Sequence, residues 1–239
     1  MKKKIFNLAL ILFCLSLTGI CAQQRKLISR ETAQQACNKA FENLNKVSYR
    51  KTIEGKTSTQ DENTLILTQK GFEEFIPPNK KRLLLETKPI RSTSSADKFF
   101  VTETVWIDGF KYSRDELTTN AWRKFVEELQ PFQPQRFPPA SDQNVKYFLT
   151  ENADLNGQNA NLYELVIETK LQQKDSRTGL INEIVKLFKA KFWIFKNDLL
   201  LRWEEEMDND LWNLYRKTVR NVYNYEYNSN IRIEAPKIN

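Results

Sequence analysis

From Val47 onward, apolar residues recur with a period of two in short segments that turn residues separate. This alternation is typical of β-strands, whose successive side chains point to opposite faces. The strongest cue is Asp108-Gly109 between two apolar runs, because a type I′ hairpin turn needs positive φ at both central residues. Asn156-Gly157 and Asn197-Asp198 separate further pairs of segments. The pattern predicts an antiparallel sheet of roughly eight to ten strands.

Three helices are predicted around this sheet. Residues 29–46 begin at a capping Ser29 and place apolar side chains at helical spacing. That stripe consists of Ala33, Ala36, Cys37, Ala40, Phe41 and Leu44. Residues 118–130 and 178–188 carry shorter stripes and are predicted to form short lid helices, and residues 231–233 a last short strand. Because the strands are joined locally and not through βαβ crossovers, the predicted fold class is α+β.

The N-terminus has the form of a secretory signal peptide. Three lysines at residues 2–4 precede an apolar stretch at residues 5–17, and small or neutral residues follow up to Ala22. A membrane-spanning helix needs about 20 apolar residues, and this stretch is shorter. We therefore expect a signal peptide at residues 1–22, a mature domain at 23–239, and a periplasmic or secreted protein. The alternatives are a membrane-anchored lipoprotein acylated at Cys21 and an uncleaved N-terminal anchor.

Composition argues against most catalytic chemistry. The chain has no histidine, so it lacks the commonest general base and the usual activator of Ser and Cys nucleophiles. Cys37 is the one cysteine beyond the signal segment, which excludes an intramolecular disulfide and a zinc cluster there. We expect no enzyme activity, no cofactor and no metal. A hydrolase using Glu103 and Asp108 is the remaining enzymatic alternative, but the hairpin turn already accounts for Asp108.

The charge balance is compatible with an anionic lipid surface or with an ordinary solvated basic surface, and is unlike that of a nucleic-acid-binding protein. Lys and Arg number 37 against 30 Asp and Glu, a mildly basic balance. A positive protein gains on the order of 1 kcal/mol per well-placed cation at an anionic membrane. We expect transient membrane contact and no nucleic-acid partner.

Several predicted strands carry apolar residues on both faces. In an antiparallel sheet with one solvated face, apolar and polar residues would instead alternate along each strand. Residues 192–195 (FWIF) and 199–201 (LLL) are the strongest cases. A curved sheet with helices over its hollow side can use the surplus to line a cavity for an acyl chain. The predicted lining residues are Leu65, Leu67, Phe99, Val101, Trp106, Phe110, Tyr112, Trp193, Phe195, Leu201, Trp203, Tyr223 and Tyr225.

The order of these segments resembles the LolA/LolB-like lipoprotein-carrier superfamily. The resemblance covers most of the mature chain by order and spacing. It rests on residues 45–49 (NKVSY), 78–83 (PNKKRL), 105–112 (VWIDGFKY), 195–200 (FKNDLL), 225–227 (YEY) and 230–236 (NIRIEAP). It implies an unclosed β-barrel whose helices cover an apolar hollow for lipid or lipoprotein acyl chains. Arg82 is the nearest match to the strand arginine of that superfamily.

The leading hypothesis is therefore an exported carrier or binding protein for lipid acyl chains. The alternative uses the same scaffold without lipid cargo, as an envelope sensor or interaction module for a protein partner. In that case exposed aromatics such as Trp212 and Tyr215 would contact the partner.

Overall fold

The computed structural model describes residues 24–59, 65–89, 100–117, 121–132, 144–174, 181–211, 215–227 and 230–238. The predicted signal segment at residues 1–22, Phe99 and Trp212 lie outside them. Among the described residues, no helix has the length and apolar character needed to cross a membrane.

The described residues are mostly β and form one twelve-stranded antiparallel sheet in the order β1-β8-β9-β10-β11-β12-β2-β3-β4-β5-β6-β7. The strands are β1 (Arg25–Ile28), β2 (Tyr49–Thr59), β3 (Leu65–Ile76), β4 (Lys80–Pro89), β5 (Phe100–Ile107), β6 (Phe110–Asp115), β7 (Arg123–Val126), β8 (Val145–Leu155), β9 (Gln158–Lys174), β10 (Ile181–Ile194), β11 (Leu200–Leu211) and β12 (Tyr215–Tyr227). Within the described ranges β1 and β7 end the sheet and do not pair, so the barrel is not closed. An unclosed sheet of this width fits the predicted curved sheet, since strand twist accumulates across it.

In the described part of the chain one helix, α1 (Arg30–Leu44), lies against the sheet. The Ser29 side chain accepts a hydrogen bond from the Thr32 N–H at 3.2 Å, which confirms the predicted cap. The buried side chains of α1 are Ala33, Cys37, Ala40, Phe41 and Leu44. This is the predicted stripe except for Ala36, which is partly buried.

The hairpin turns follow the sequence cues. Asp108 and Gly109 have φ of 52° and 80°, and Asn156 and Gly157 have φ of 54° and 83°. Positive φ at both central residues is the type I′ requirement. These turns connect β5 to β6 and β8 to β9.

Both predicted lid helices are wrong. The described part of residues 178–188 belongs to β10, which pairs with β9 from Ile181 and with β11 from Lys186. Residues 123–126 form β7, the strand beyond β6. In both places cross-strand hydrogen bonding outweighs helical spacing, as tertiary context often does.

Three further expectations need correction. The described part of the chain is mostly β and not α+β, because it contains one helix against twelve strands. The sheet has twelve strands because β1 and β7, both four residues long, were not predicted. Residues 231–233 form no strand. Ile231 and Ile233 instead pack on β5 and β6.

Two buried clusters occupy opposite faces of the sheet. Side chains of cross-strand partners lie on the same face, so the strand register assigns every residue to a side. The face that carries α1 is called the helix face, and its cluster runs from Tyr147 on β8 to Phe75 on β3. On the opposite face Val105, Ile107 and Tyr112 pack with Ile233.

Candidate functional site

Helix α1 covers one part of the helix face. Phe41 stacks on Phe132 with ring centroids 4.9 Å apart and meets Phe192 and Trp203 edge-on at 5.9 and 5.7 Å. Phe41 is 1% exposed. This region of the helix face is therefore a packed core.

Beyond α1, the helix face continues as an apolar surface on β2, β3 and β4. Ile53, Gly71 and Leu85 are cross-strand partners on these three strands, and Leu83 lies beside Glu73 on the same face. Ile53, Leu83 and Leu85 are each partly exposed. Within the residues that the structure describes, none of the three belongs to a buried cluster. These three leucine and isoleucine side chains around Gly71 are called the apolar wall.

The absence of a side chain at Gly71 is required by the neighbouring strand. A Cβ built there would lie 2.0 Å from the carbonyl oxygen of Leu84. Glycine therefore lets β3 and β4 approach closely between Ile53 and Leu85. At the centre of the apolar wall, the surface is the backbone of Gly71, which carries no side chain; this position is called the glycine floor.

A buried ionic cluster borders the apolar wall. The Glu73 carboxylate accepts a hydrogen bond from the Tyr49 hydroxyl at 2.8 Å. It forms ion pairs with Lys51 and Lys81, with N–O distances of 2.9 Å in each case. The Lys51 and Glu73 side chains are 11% and 6% exposed, whereas Lys81 is 24% exposed. Lys51, Glu73 and Lys81 are called the ionic cluster, and together they carry one net positive charge.

The pKa shifts in the ionic cluster follow from burial and pairing. Burial acts to raise the pKa of Glu73, but the charges and hydrogen bonds of Lys51 and Lys81 outweigh it and lower this pKa to about 2. Burial lowers the pKa of Lys51 against the opposing charge of Glu73. The Tyr225 hydroxyl nearby has a raised pKa, chiefly because it is buried.

A pocket of about 420 Å³ lies on the opposite face, beneath the C-terminal segment. It is lined by Arg82, Glu103, Val105, Trp122, Arg232, Glu234, Ala235 and Pro236. Glu103 is 4% exposed and forms ion pairs with Arg82 at 2.8 Å and Arg114 at 2.7 Å. Arg82, the arginine singled out by the family resemblance, thus forms an ion pair on the face away from the apolar wall. Glu103, the carboxylate of the hydrolase alternative, is held between these two guanidinium groups.

The predicted cavity residues divide between the two faces. The strand register places Leu67, Trp106, Trp203, Tyr223 and Tyr225 on the helix face. It places Val101, Phe110, Tyr112 and Trp193 on the opposite face. Those four residues are therefore not brought together with Trp203, because alternation puts them on the other side of their strands.

The remaining four predicted cavity residues are not assigned to either face of the sheet by the strand register. Phe195 follows β10 and is 37% exposed. Leu201 lies at the β-bulge where the register between β10 and β11 shifts. Leu65 is in β3, but its side chain is not among those described, and Phe99 precedes β5.

Sequence reasoning missed both the apolar wall and the ionic cluster. Residues 48–57 are largely polar, which conceals that Lys51 and Ile53 share a face with Glu73 and Leu85. The run Leu83-Leu84-Leu85 was visible in the sequence. Only the cross-strand register shows which of its members lie on the helix face.

Comparisons with known proteins give only distant structural likenesses. No family model matches the chain, and no curated protein matches it. It is similar to the crystal structure of LprF from Mycobacterium bovis, with 12% identity, 88% of this chain and 99% of that chain covered, and a TM-score of 0.40. It is also similar to a DUF1329 family protein from Desulfovibrio piger, with 9% identity, 84% and 94% covered, and a TM-score of 0.30. Neither likeness is close enough to assign a family.

Proposed function

We propose that the protein is a non-catalytic carrier or binding protein that takes a lipid acyl chain against the apolar wall on the helix face. The observation that supports this is the position of Ile53, Leu83 and Leu85, which are partly exposed around a glycine floor. Each methylene group that such a surface removes from water contributes about 0.8 kcal/mol. An acyl chain is a long unbranched series of these groups.

The setting of the protein fits this function. A secretory signal at residues 1–22 delivers it outside the cytoplasm, to the periplasm or beyond. There it meets lipid or lipoprotein acyl chains and contacts a membrane surface transiently. The order of segments that resembles the LolA/LolB-like carriers agrees with the same function, and the lack of histidine agrees with a role in binding.

A matched pair of substitutions on β4 tests the proposal. Leu84 and Leu85 are adjacent in the chain, but the register puts Leu85 on the helix face opposite Gly71 and Leu84 on the other face opposite Glu103. We expect Leu85→Thr to weaken binding of a fluorescent fatty acid about tenfold and Leu84→Thr to leave it unchanged. Equal binding by the two variants, or no binding by the unaltered protein, would contradict the proposal.

The second candidate function is an envelope interaction module. Strand β7 ends the sheet, and its residues Phe125 and Val126 are 45% and 87% exposed. An exposed apolar edge strand can pair with a strand of another protein. Phe125→Ser with Val126→Ser would abolish capture of a single protein from envelope extract under this function, and would leave fatty-acid binding unchanged under the first.

A further inference from the structure

The ionic cluster and the apolar wall lie next to each other along the same strands. On β4, Lys81, Leu83 and Leu85 are alternate residues and therefore face the same side. On β2, Lys51 and Ile53 repeat this order of cation and then apolar side chain. Two residues of a strand span about 7 Å. A charged region thus continues directly into an apolar one.

Hydrogen-bond donors exceed acceptors at the charged end. Lys51 and Lys81 share the single Glu73 carboxylate, which also accepts from the Tyr49 hydroxyl. Two further donors, Tyr225 Oη and Trp203 Nε1, are buried without a hydrogen-bond partner among the described residues. A buried polar group without a partner is rare and costs free energy.

These spare donors are contiguous with the ionic cluster. Lys51 Nζ lies 6.0 Å from the ring centroid of Tyr225 and 5.6 Å from that of Tyr223. The Trp203 ring packs against the Tyr223 ring at a tilt of 39°, with centroids 4.9 Å apart. The ionic cluster is net positive, and the two unpartnered groups beside it, Tyr225 Oη and Trp203 Nε1, can donate hydrogen bonds. The complementary ligand group is therefore an anion that accepts hydrogen bonds.

We infer that the ligand is an anionic amphiphile, with its carboxylate or phosphate group at the ionic cluster and its acyl chain on the apolar wall. This inference rests on the proposed function and adds the charge class of the ligand. Lys81 is the accessible cation of the cluster, because its side chain is 24% exposed against 11% for Lys51.

The test compares probes that share an oleoyl or oleyl chain and differ in headgroup charge. Oleate, oleoyl lysophosphatidic acid, monooleoylglycerol and oleylamine are each used as monomers to displace Nile red from the full mature chain. We expect the two anions to bind about tenfold more tightly than monooleoylglycerol and oleylamine to bind most weakly. The order of oleate and lysophosphatidic acid then tells which of the two anionic headgroups is preferred.

A pair of lysine variants locates the effect. Lys81→Gln should remove the preference for anions and leave monooleoylglycerol binding within twofold. Lys80→Gln changes the neighbouring residue, which the register places on the opposite face, and should keep the preference. If all four probes bind equally well, or oleylamine binds best, or Lys81→Gln keeps the preference, the inference fails while the proposed function stands. If no probe displaces Nile red, the proposed function itself fails.

Discussion

Lys51 and Glu73 are direct cross-strand partners on β2 and β3, and their side chains form a 2.9 Å ion pair that is almost fully buried. Taking two charges out of water is costly, and hydrogen bonds to the remaining groups offset that cost. Tyr49 and Lys81 supply such contacts to Glu73. Removing either partner would therefore leave an uncompensated buried charge at the border of the apolar wall.

Glu73→Gln should destabilise the protein by about 3–5 kcal/mol, because it leaves the Lys51 charge buried without its counter-charge. Urea unfolding followed by tryptophan fluorescence measures the change. The control is Glu151→Gln, which breaks the solvent-exposed pair with Lys26 and should cost about 0–1 kcal/mol. A loss below 1 kcal/mol for Glu73→Gln would show that the pair does not act as a buried unit.

Acid should weaken the fold through the same carboxylate. The pKa of Glu73 is lowered from 4.5 to about 2 in the folded protein. Its stabilising contribution is therefore complete above pH 4.5 and is lost as the pH falls toward 2. Urea unfolding across this interval should give a steeper fall in the free energy of unfolding for the unaltered protein than for Glu73→Gln. Parallel curves would contradict the shifted pKa.

Gly71→Ala should destabilise the protein by roughly 1–3 kcal/mol, since the new methyl group overlaps the Leu84 carbonyl oxygen and forces β3 and β4 apart. Gly55→Ala is the matched control on β2. A Cβ there lies 3.1 Å from the nearest atom, which belongs to the movable Asn221 side chain. Thermal unfolding of the two variants should separate them clearly. Equal melting temperatures would mean that the close approach at Gly71 is not required.

Phe41→Ala should cost about 3–5 kcal/mol, because a fully buried aromatic side chain between Phe132, Phe192 and Trp203 is removed. Leu27→Ala, at a side chain that is 70% exposed, should change stability by less than about 0.5 kcal/mol. Chemical denaturation gives both values. A small loss for Phe41→Ala would indicate that α1 is not anchored in this core.

Local signals in the sequence were sufficient for α1 and for the main hairpins. Ser29 caps the helix, and Asp108-Gly109 adopts the positive φ values that its composition predicts. These features depend on a few adjacent residues, so they can be predicted from a single sequence.

The β10 segment and the candidate site depend on distant partners. Ile181 and Phe188 have helical spacing, yet β9 and β11 pair along both edges of their strand. Leu83 and Leu85 lie on the helix face and Leu84 on the opposite face because of their register with Glu73 and Glu103. Residues far apart in the chain set that register, and composition alone does not encode it.

Mass spectrometry of organic extracts from gently purified protein tests acyl-chain binding most directly. We expect a reproducible set of acyl lipids at a defined ratio to protein, reduced in Leu85→Thr and retained in Leu84→Thr. Extracts without lipid from repeated preparations, together with no uptake of a fluorescent fatty acid, would contradict the assignment of the helix face as a lipid site.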